Sequence, residues 1–282
     1  MAESEIGVVG SGTMGAGIAQ VFALAGHHVV LVDLTRECLD RAMAGIAKNL
    51  ERLVKKEGIS AAQRDAALAA IQATTDYPDL APCHIVIEAV SENREVKKQV
   101  LKRIEGAVTV GCIIASNTST ISITELAAGI GAPARFIGMH FMNPVPVMQL
   151  VEVITALQTA EGTTAETVAL AKKIGKTPVL VGDSPGFVLN RLLLPMINEA
   201  VFALDEGVAD AESIDSCMKL GANQPIGPLA LADLIGLDVC LHIMEVLHAD
   251  FGDSKYRPCP LLRRMVAAGY LGRKSGKGFF VY

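Results

Sequence analysis

A glycine-rich hexamer set between two short apolar runs limits what this chain can fold into more than any other feature. Residues 5–9 read Glu-Ile-Gly-Val-Val, and Gly10-Ser11-Gly12-Thr13-Met14-Gly15 follows. An apolar helical pattern then runs from Met14 to Ala25 and stops at Gly26, a residue suited to ending a helix. A second apolar run, His28 to Val32, ends in Asp33. Strand, tight turn, helix and strand in that order make one βαβ unit of a parallel sheet. A lone G-x-G-x-x-G occurs by chance, but this context makes it a dinucleotide-binding fingerprint. Gly10 permits the turn, Gly12 lets the backbone approach a pyrophosphate, and Gly15 lets helix and strand pack closely. Thr13 and Met14 open the helix whose N-terminal amides face the phosphates. Asp33 at a strand end accepts from ribose hydroxyls and repels a 2′-phosphate, which favours NAD. Arg36 lies close enough in sequence to accommodate that phosphate, so NADP stays open. The bland alternative is a packing turn with Asp33 as a helix cap.

The remaining pattern extends this unit into a larger α/β domain. Helical periodicity spans Arg36 to Glu57. Ser60 and Gln63 form a capping box for a helix expected to run to about Ala73. Further strands are expected at His84–Glu88, Cys112–Ser116, Phe136–His140, Leu150–Ile154 and Val179–Val181, with helices over Glu95–Glu105 and after Ser122. Beyond Asp183-Ser184-Pro185-Gly186 the texture becomes helical, with helices near 188–206, 211–219, 228–235, 237–251 and 260–268. The expected architecture is a Rossmann-like dinucleotide-binding domain over 1–184 and an all-helical C-terminal domain over 185–282. Two domains of unequal size also suit a length of 282 residues.

Composition narrows the function classes. A hydrophobic fraction of 51% with 20% charged residues supports a large core. A net charge of −5 argues against a nucleic-acid partner. No apolar run is long enough to cross a membrane, and residues 1–10 lack the features of an export signal. Cys38, Cys83, Cys112, Cys217, Cys240 and Cys259 show no zinc-ligand spacing. They read as reduced, buried thiols in a cytoplasmic protein.

Among the six histidines, His140 stands out because it ends an apolar strand, where chemistry gathers in open α/β sheets. Glu152 lies inside the apolar run Leu150–Ile154, where an unpaired carboxylate is costly. If the two strands form a hairpin about Pro146, His140 and Glu152 face each other, with Cβ atoms ~5 Å apart. A carboxylate orienting an imidazole is the arrangement of general acid–base catalysis. Ser116-Asn117-Thr118-Ser119-Thr120 brings hydroxyls and an amide to the same sheet edge, either as donors to a carbonyl or as a helix-capping loop. Asn190 opens the second domain and faces either a cleft or another helix. Lys48, Arg52, Lys55 and Lys56 recur at helical spacing. They form either a solvated face or a landing site for the phosphates of a bulky anionic substrate.

Taken together, GxGxxG with Asp33, SNTS (116–119), GMHFMNPVPVM (138–148), LVEVI (150–154), PGFVLNR (185–191), MKLGANQPIGPL (218–229) and GRKSGKGF (272–279) resemble the short-chain L-3-hydroxyacyl-CoA dehydrogenases over essentially the whole chain. The resemblance is strongest to the bacterial 3-hydroxybutyryl-CoA branch. It implies interconversion of (S)-3-hydroxybutyryl-CoA and acetoacetyl-CoA with NAD(P). It also implies His140 as general acid/base, Glu152 as its orienting partner, and Ser119 and Asn190 at the substrate oxygen. By the same resemblance Glu92, Lys97, Ser119, Asn143 and Lys274 line the cofactor site, Asn49 and Lys56 contact coenzyme A, and the helical domain carries a homodimer contact. Departures are Met142, where the family commonly has a second phenylalanine, Gln149, where lysine is common, and Gln224, where histidine is frequent. Histidine as a residue type titrates near neutrality and suits proton transfer in both directions. Two other readings share the cofactor: a dehydrogenase of free hydroxy or sugar acids, and a non-catalytic dinucleotide-binding protein.

Overall fold

The structure is a computed structural model that describes residues 5–282; the acidic start, residues 1–4, lies outside them. The chain divides into two compact units, the first ending at Asp183 and the second covering Ser184–Tyr282.

The first unit is built on one eight-stranded sheet. In chain order its elements are β1 (Ile6–Val9), α1 (Thr13–Leu24), β2 (Val29–Val32), α2 (Arg36–Lys55), α3 (Ala61–Ala69), β3 (Ile71–Thr74), β4 (Ile85–Glu88), α4 (Arg94–Ala107), β5 (Ile113–Ser116), α5 (Ile123–Ala127), β6 (Phe136–Phe141), β7 (Leu150–Thr155), α6 (Glu161–Lys173) and β8 (Thr177–Gly182). The strand order is β3-β2-β1-β4-β5-β6-β7-β8. Neighbours are parallel throughout, except that β7 runs antiparallel to β6. The order reverses between β1 and β4, which puts a crevice at the carboxyl ends of those strands, the usual ligand position in open α/β sheets. β1, β2, β4 and β5 are buried along their whole length, because helices cover parallel strands on both faces. Their continuous Val/Ile runs supply that burial, at roughly 1.5–3 kcal/mol for each large apolar side chain.

Two elements depart from the sequence reading. The helix capped by Ser60 stops at Ala69 rather than near Ala73, and residues 71–74 form β3 alongside β2. Only Ile71 of this edge strand is buried, so no two-residue alternation marks it. α6, which no apolar stripe announces, buries Thr163, Thr167 and Ala171 instead. Its two threonine hydroxyls donate to backbone carbonyls, Thr163 to Ala134 and Thr167 to Thr163. Small, internally satisfied side chains there let the helix lie close to the sheet. The cysteines also differ from expectation: Cys217 is exposed and Cys38 half-buried, while the other four are buried.

The second unit holds α7 (Leu189–Asp205), α8 (Ala211–Gly221), α9 (Pro228–Ile235), α10 (Leu237–Phe251) and α11 (Pro260–Ala267). Leu194, Ile197, Val201, Leu229, Met244 and Leu262 anchor its core. Two buried aspartates fix its backbone. Asp215 accepts from the Leu229 and Ala230 amides at the start of α9. Asp233 accepts from the Phe279 and Phe280 amides and the Tyr282 hydroxyl, fastening the C-terminal segment. Gly278 and Gly272 lie against Asp233, and a Cβ at either position would collide with it.

Candidate active site

The turn after β1 is shaped by its glycines. Gly10 adopts φ +101°. A Cβ on Gly15 would run into the Gly10 carbonyl oxygen, so helix and turn touch with no room for a methyl group. Gly12 is the reverse case: nothing stands within 4 Å of where its Cβ would be. Gly12 caps α1 without a side-chain hydrogen bond, which leaves first-turn amides to meet an anion. Asp33 closes the turn. Its Oδ2 accepts from the Ser11 amide and hydroxyl, each at 2.6 Å, and its Oδ1 from the Leu34 amide at 2.6 Å. Gly12, Thr13, Asp33, Asn49 and Asn143 share the wall of one cavity of about 560 Å³. These features fit a dinucleotide: a bare backbone at Gly12 for the pyrophosphate and a carboxylate for ribose hydroxyls. Gly15→Ala is therefore expected to abolish NADH binding in a fluorescence titration and to destabilise the unit by about 1–3 kcal/mol. Wild-type affinity in that variant would refute the cradle.

A buried polar network backs the sheet edge next to this turn. Glu88, which is fully buried, ends β4; its Oε1 accepts from Lys97 Nζ at 2.8 Å and the Val90 amide at 2.7 Å. Its Oε2 accepts from the Ser116 hydroxyl at 2.6 Å. Lys97 is only 1% exposed and also lies 3.4 Å from Glu92. Glu92 in turn accepts from the Thr118 hydroxyl (2.5 Å), the Ser119 amide (2.8 Å) and the Thr120 amide and hydroxyl (3.0 Å each). Burial alone would raise the Glu92 pKa. The Lys97 charge and the Thr118, Ser119 and Thr120 hydrogen bonds outweigh it and hold the carboxyl below its ordinary 4.5. The loop bearing Ser119 is thus clamped from α4 through Lys97 and Glu92.

β6 and β7 pair with His140 opposite Glu152. The His140 Nδ1 to Glu152 Oε2 distance is 2.8 Å, and both side chains are buried. Asn117 Oδ1 accepts from the Phe141 amide at 2.8 Å, tying the end of β6 to the loop after β5. The segment that follows, which carries Asn143, is held by Lys176. This buried ammonium donates to the Val145 and Met148 carbonyls at 2.5 and 2.8 Å, and burial lowers its pKa.

The predicted residues thus fall into three groups in the first unit: the cavity set, the Ser119–Glu92–Lys97 clamp and the His140–Glu152 pair. Lys56 follows directly on α2 and is exposed, as are Lys48, Arg52 and Lys55. Asn190 and Lys274 belong to the second unit. Asn190 is buried in the first turn of α7, and Lys274 Nζ donates to Asp238 Oδ2 at 2.6 Å. Sequence reasoning placed the Asn117 amide at this sheet edge but gave no role to Ser11, Glu88 or Lys176. Of the last three only Glu88, a carboxylate closing the apolar run of residues 84–88, left a trace in the pattern.

A glycine cradle after the first strand of a parallel sheet, with a histidine–carboxylate pair on the same sheet, defines a dinucleotide-dependent oxidoreductase. Residues 5–184 match the NAD binding domain of 3-hydroxyacyl-CoA dehydrogenase, and residues 186–282 match its C-terminal domain. The chain belongs to the 3-hydroxyacyl-CoA dehydrogenase family and is an NAD-dependent enzyme of that family. It is 54% identical to a probable 3-hydroxybutyryl-CoA dehydrogenase of Deinococcus radiodurans, across 99% of this chain and 100% of that one. It is 50% identical to the 3-hydroxybutyryl-CoA dehydrogenase of Bradyrhizobium diazoefficiens, across 99% and 95%. The crystal structure of (S)-3-hydroxybutyryl-CoA dehydrogenase from Ralstonia eutropha superposes with a TM-score of 0.97 at 56% identity, covering 100% of this chain and 99% of that one.

Proposed function

We propose that the chain interconverts (S)-3-hydroxybutyryl-CoA and acetoacetyl-CoA, with His140 as general acid/base. The observation that carries this reading is the buried 2.8 Å pair of His140 Nδ1 and Glu152. With Nδ1 committed to the carboxylate, Nε2 is the nitrogen assigned to the substrate oxygen. In oxidation, neutral His140 takes the C3 hydroxyl proton; in reduction, protonated His140 returns it. Glu152 holds the ring in one tautomer and stabilises its positive form. NAD, held at the Gly10–Gly15 turn and Asp33, would supply the acceptor for the C3 hydride. Ser119 polarises the substrate oxygen from a loop that Glu92 holds, and Asp33 receives the adenosine ribose. Asn143 lines the cofactor pocket, Lys97 acts on the cofactor side through Glu92, and Asn49 and Lys56 meet the coenzyme A part of the substrate. The family resemblance adds Asn190 and Lys274 of the second unit as substrate and cofactor contacts, each testable by its own substitution.

The working form is a cytoplasmic homodimer in this reading. The family resemblance supplies the dimer contact in the second unit, where Leu192 is 69% and Leu234 54% exposed. Among the described residues no helix is long and apolar enough to cross a membrane.

The test is NADH consumption with acetoacetyl-CoA and with free acetoacetate. Rapid oxidation with the thioester and little with the free acid is expected. Equal rates would replace the thioester reading with a free-acid dehydrogenase. NADH binding with no turnover on either would remove the catalytic one.

A further inference from the structure

Arg36 is the arginine nearest Asp33 in sequence, but the structure turns it away. Its Nε donates to Asp40 at 3.0 Å and its Nη1 to the Ala73 carbonyl at 3.1 Å, and it does not line the cavity. Arg41 lines that cavity instead, five residues further along α2 and on a different face of the helix. It is the cavity's one basic residue, as Asp33 is its one acidic residue. No ion pair joins the two among the described residues. The Arg41 guanidinium contacts its own helix twice, Nε to the Glu37 carbonyl at a long 3.5 Å and Nη2 to the weak acceptor Cys38 Sγ at 3.4 Å. A guanidinium carries five N–H donors in a fork that matches phosphate oxygens. Two weak local contacts leave most of that capacity for a ligand.

We propose that Arg41 forms a latent 2′-phosphate subsite in the same cavity as Asp33, so that these two residues together set the choice between NAD and NADP. Asp33 disfavours the 2′-phosphate by charge. Arg41 offsets part of that repulsion and becomes the dominant contact once the Asp33 charge is gone. The wild-type protein then prefers the unphosphorylated dinucleotide yet binds its 2′-phosphorylated form measurably. This inference rests on reading the part of the cavity beside Gly12 and Asp33 as the adenosine end of the cofactor site.

The test compares calorimetric binding of 5′-ADP and 2′,5′-ADP, which is independent of turnover, in the full chain and in Arg41→Ala, Asp33→Asn and the double variant. Turnover with NADH and NADPH is a second readout. Asp33→Asn is expected to shift the preference toward 2′,5′-ADP by about tenfold or more, the scale of one charge-assisted contact. Arg41→Ala is expected to weaken 2′,5′-ADP by about tenfold more than 5′-ADP. The double variant is expected to lose the gain made by Asp33→Asn. Retention of that gain without Arg41, or equal weakening of both ligands by Arg41→Ala, would overturn the subsite and leave the cavity assignment standing. If Asp33→Asn changes neither ligand, the cavity is not the adenosine site, and both readings fall. Arg41 is exposed on α2, so the thermal midpoint of Arg41→Ala is expected to stay close to wild type.

Discussion

His140→Gln is expected to lower kcat by about 10²–10⁴-fold, the range spanned by loss of a general acid/base, with little change in NADH affinity. Glutamine keeps a polar group of similar reach but cannot exchange a proton with the C3 oxygen. The imidazole is backed by Glu152 inside the sheet, and both side chains are almost wholly buried. Water is therefore poorly placed to replace it. The NADH cradle lies after β1 and the pair lies between β6 and β7, so the substitution separates chemistry from cofactor binding. Single-turnover kinetics with acetoacetyl-CoA, alongside a fluorescence titration of NADH, measure the two independently. Near-wild-type turnover would exclude His140 as the proton carrier. Equal loss of NADH affinity and rate would mean the histidine serves binding instead. Glu152→Gln is expected to act in the same direction and more weakly, since it leaves the imidazole in place with a poorer orienting partner.

The register that brings this pair together was legible because both strands carry a continuous apolar run with one polar residue each. A hairpin that pairs the polar residues buries neither charge alone, and any other register leaves Glu152 among apolar neighbours. The glycine turn was legible for a similar reason: Gly10 takes a positive φ and Gly15 has no room for a Cβ, while Gly12 leaves its backbone bare toward open space. β3 and α6 were not legible. β3 buries one residue of four, and α6 packs threonine and alanine against the sheet. Neither supplies the apolar periodicity on which such reading depends. Proximity in sequence and place on the cavity wall also differ at the cofactor pocket. Arg36 stands next to Asp33 along the chain, yet helix geometry turns it toward Asp40 and puts Arg41 on the cavity wall. The clamp behind Ser119 joins residues up to 28 positions apart, Glu92 to Thr120 and Glu88 to Ser116. Its members meet only because β4 and β5 are neighbours in the sheet.

That clamp carries the other large effect. Lys97→Met is expected to destabilise the first unit by about 3–5 kcal/mol, because it leaves the fully buried Glu88 carboxylate without its cation. Methionine retains most of the side-chain volume, so the loss measures charge rather than packing. Pairing it with Glu88→Gln removes both charges and is expected to recover a large part of the deficit, a non-additivity that urea unfolding of the two single variants and the double variant would read. The pH dependence follows from Glu92. Its folded-state pKa lies below its ordinary 4.5, so it contributes stability that is fully present above that value and is lost as pH falls through the lowered pKa. Lys97 is one of the groups that lower it. Removing that lysine therefore moves the Glu92 pKa upward, and the acid arm of the stability curve begins at a higher pH in the variant. The Ser119 loop depends on the ionised carboxylate, so activity on acetoacetyl-CoA is expected to fail at a higher pH as well. A cost below about 1 kcal/mol with an unshifted acid arm would mean that Lys97 fills space and holds nothing.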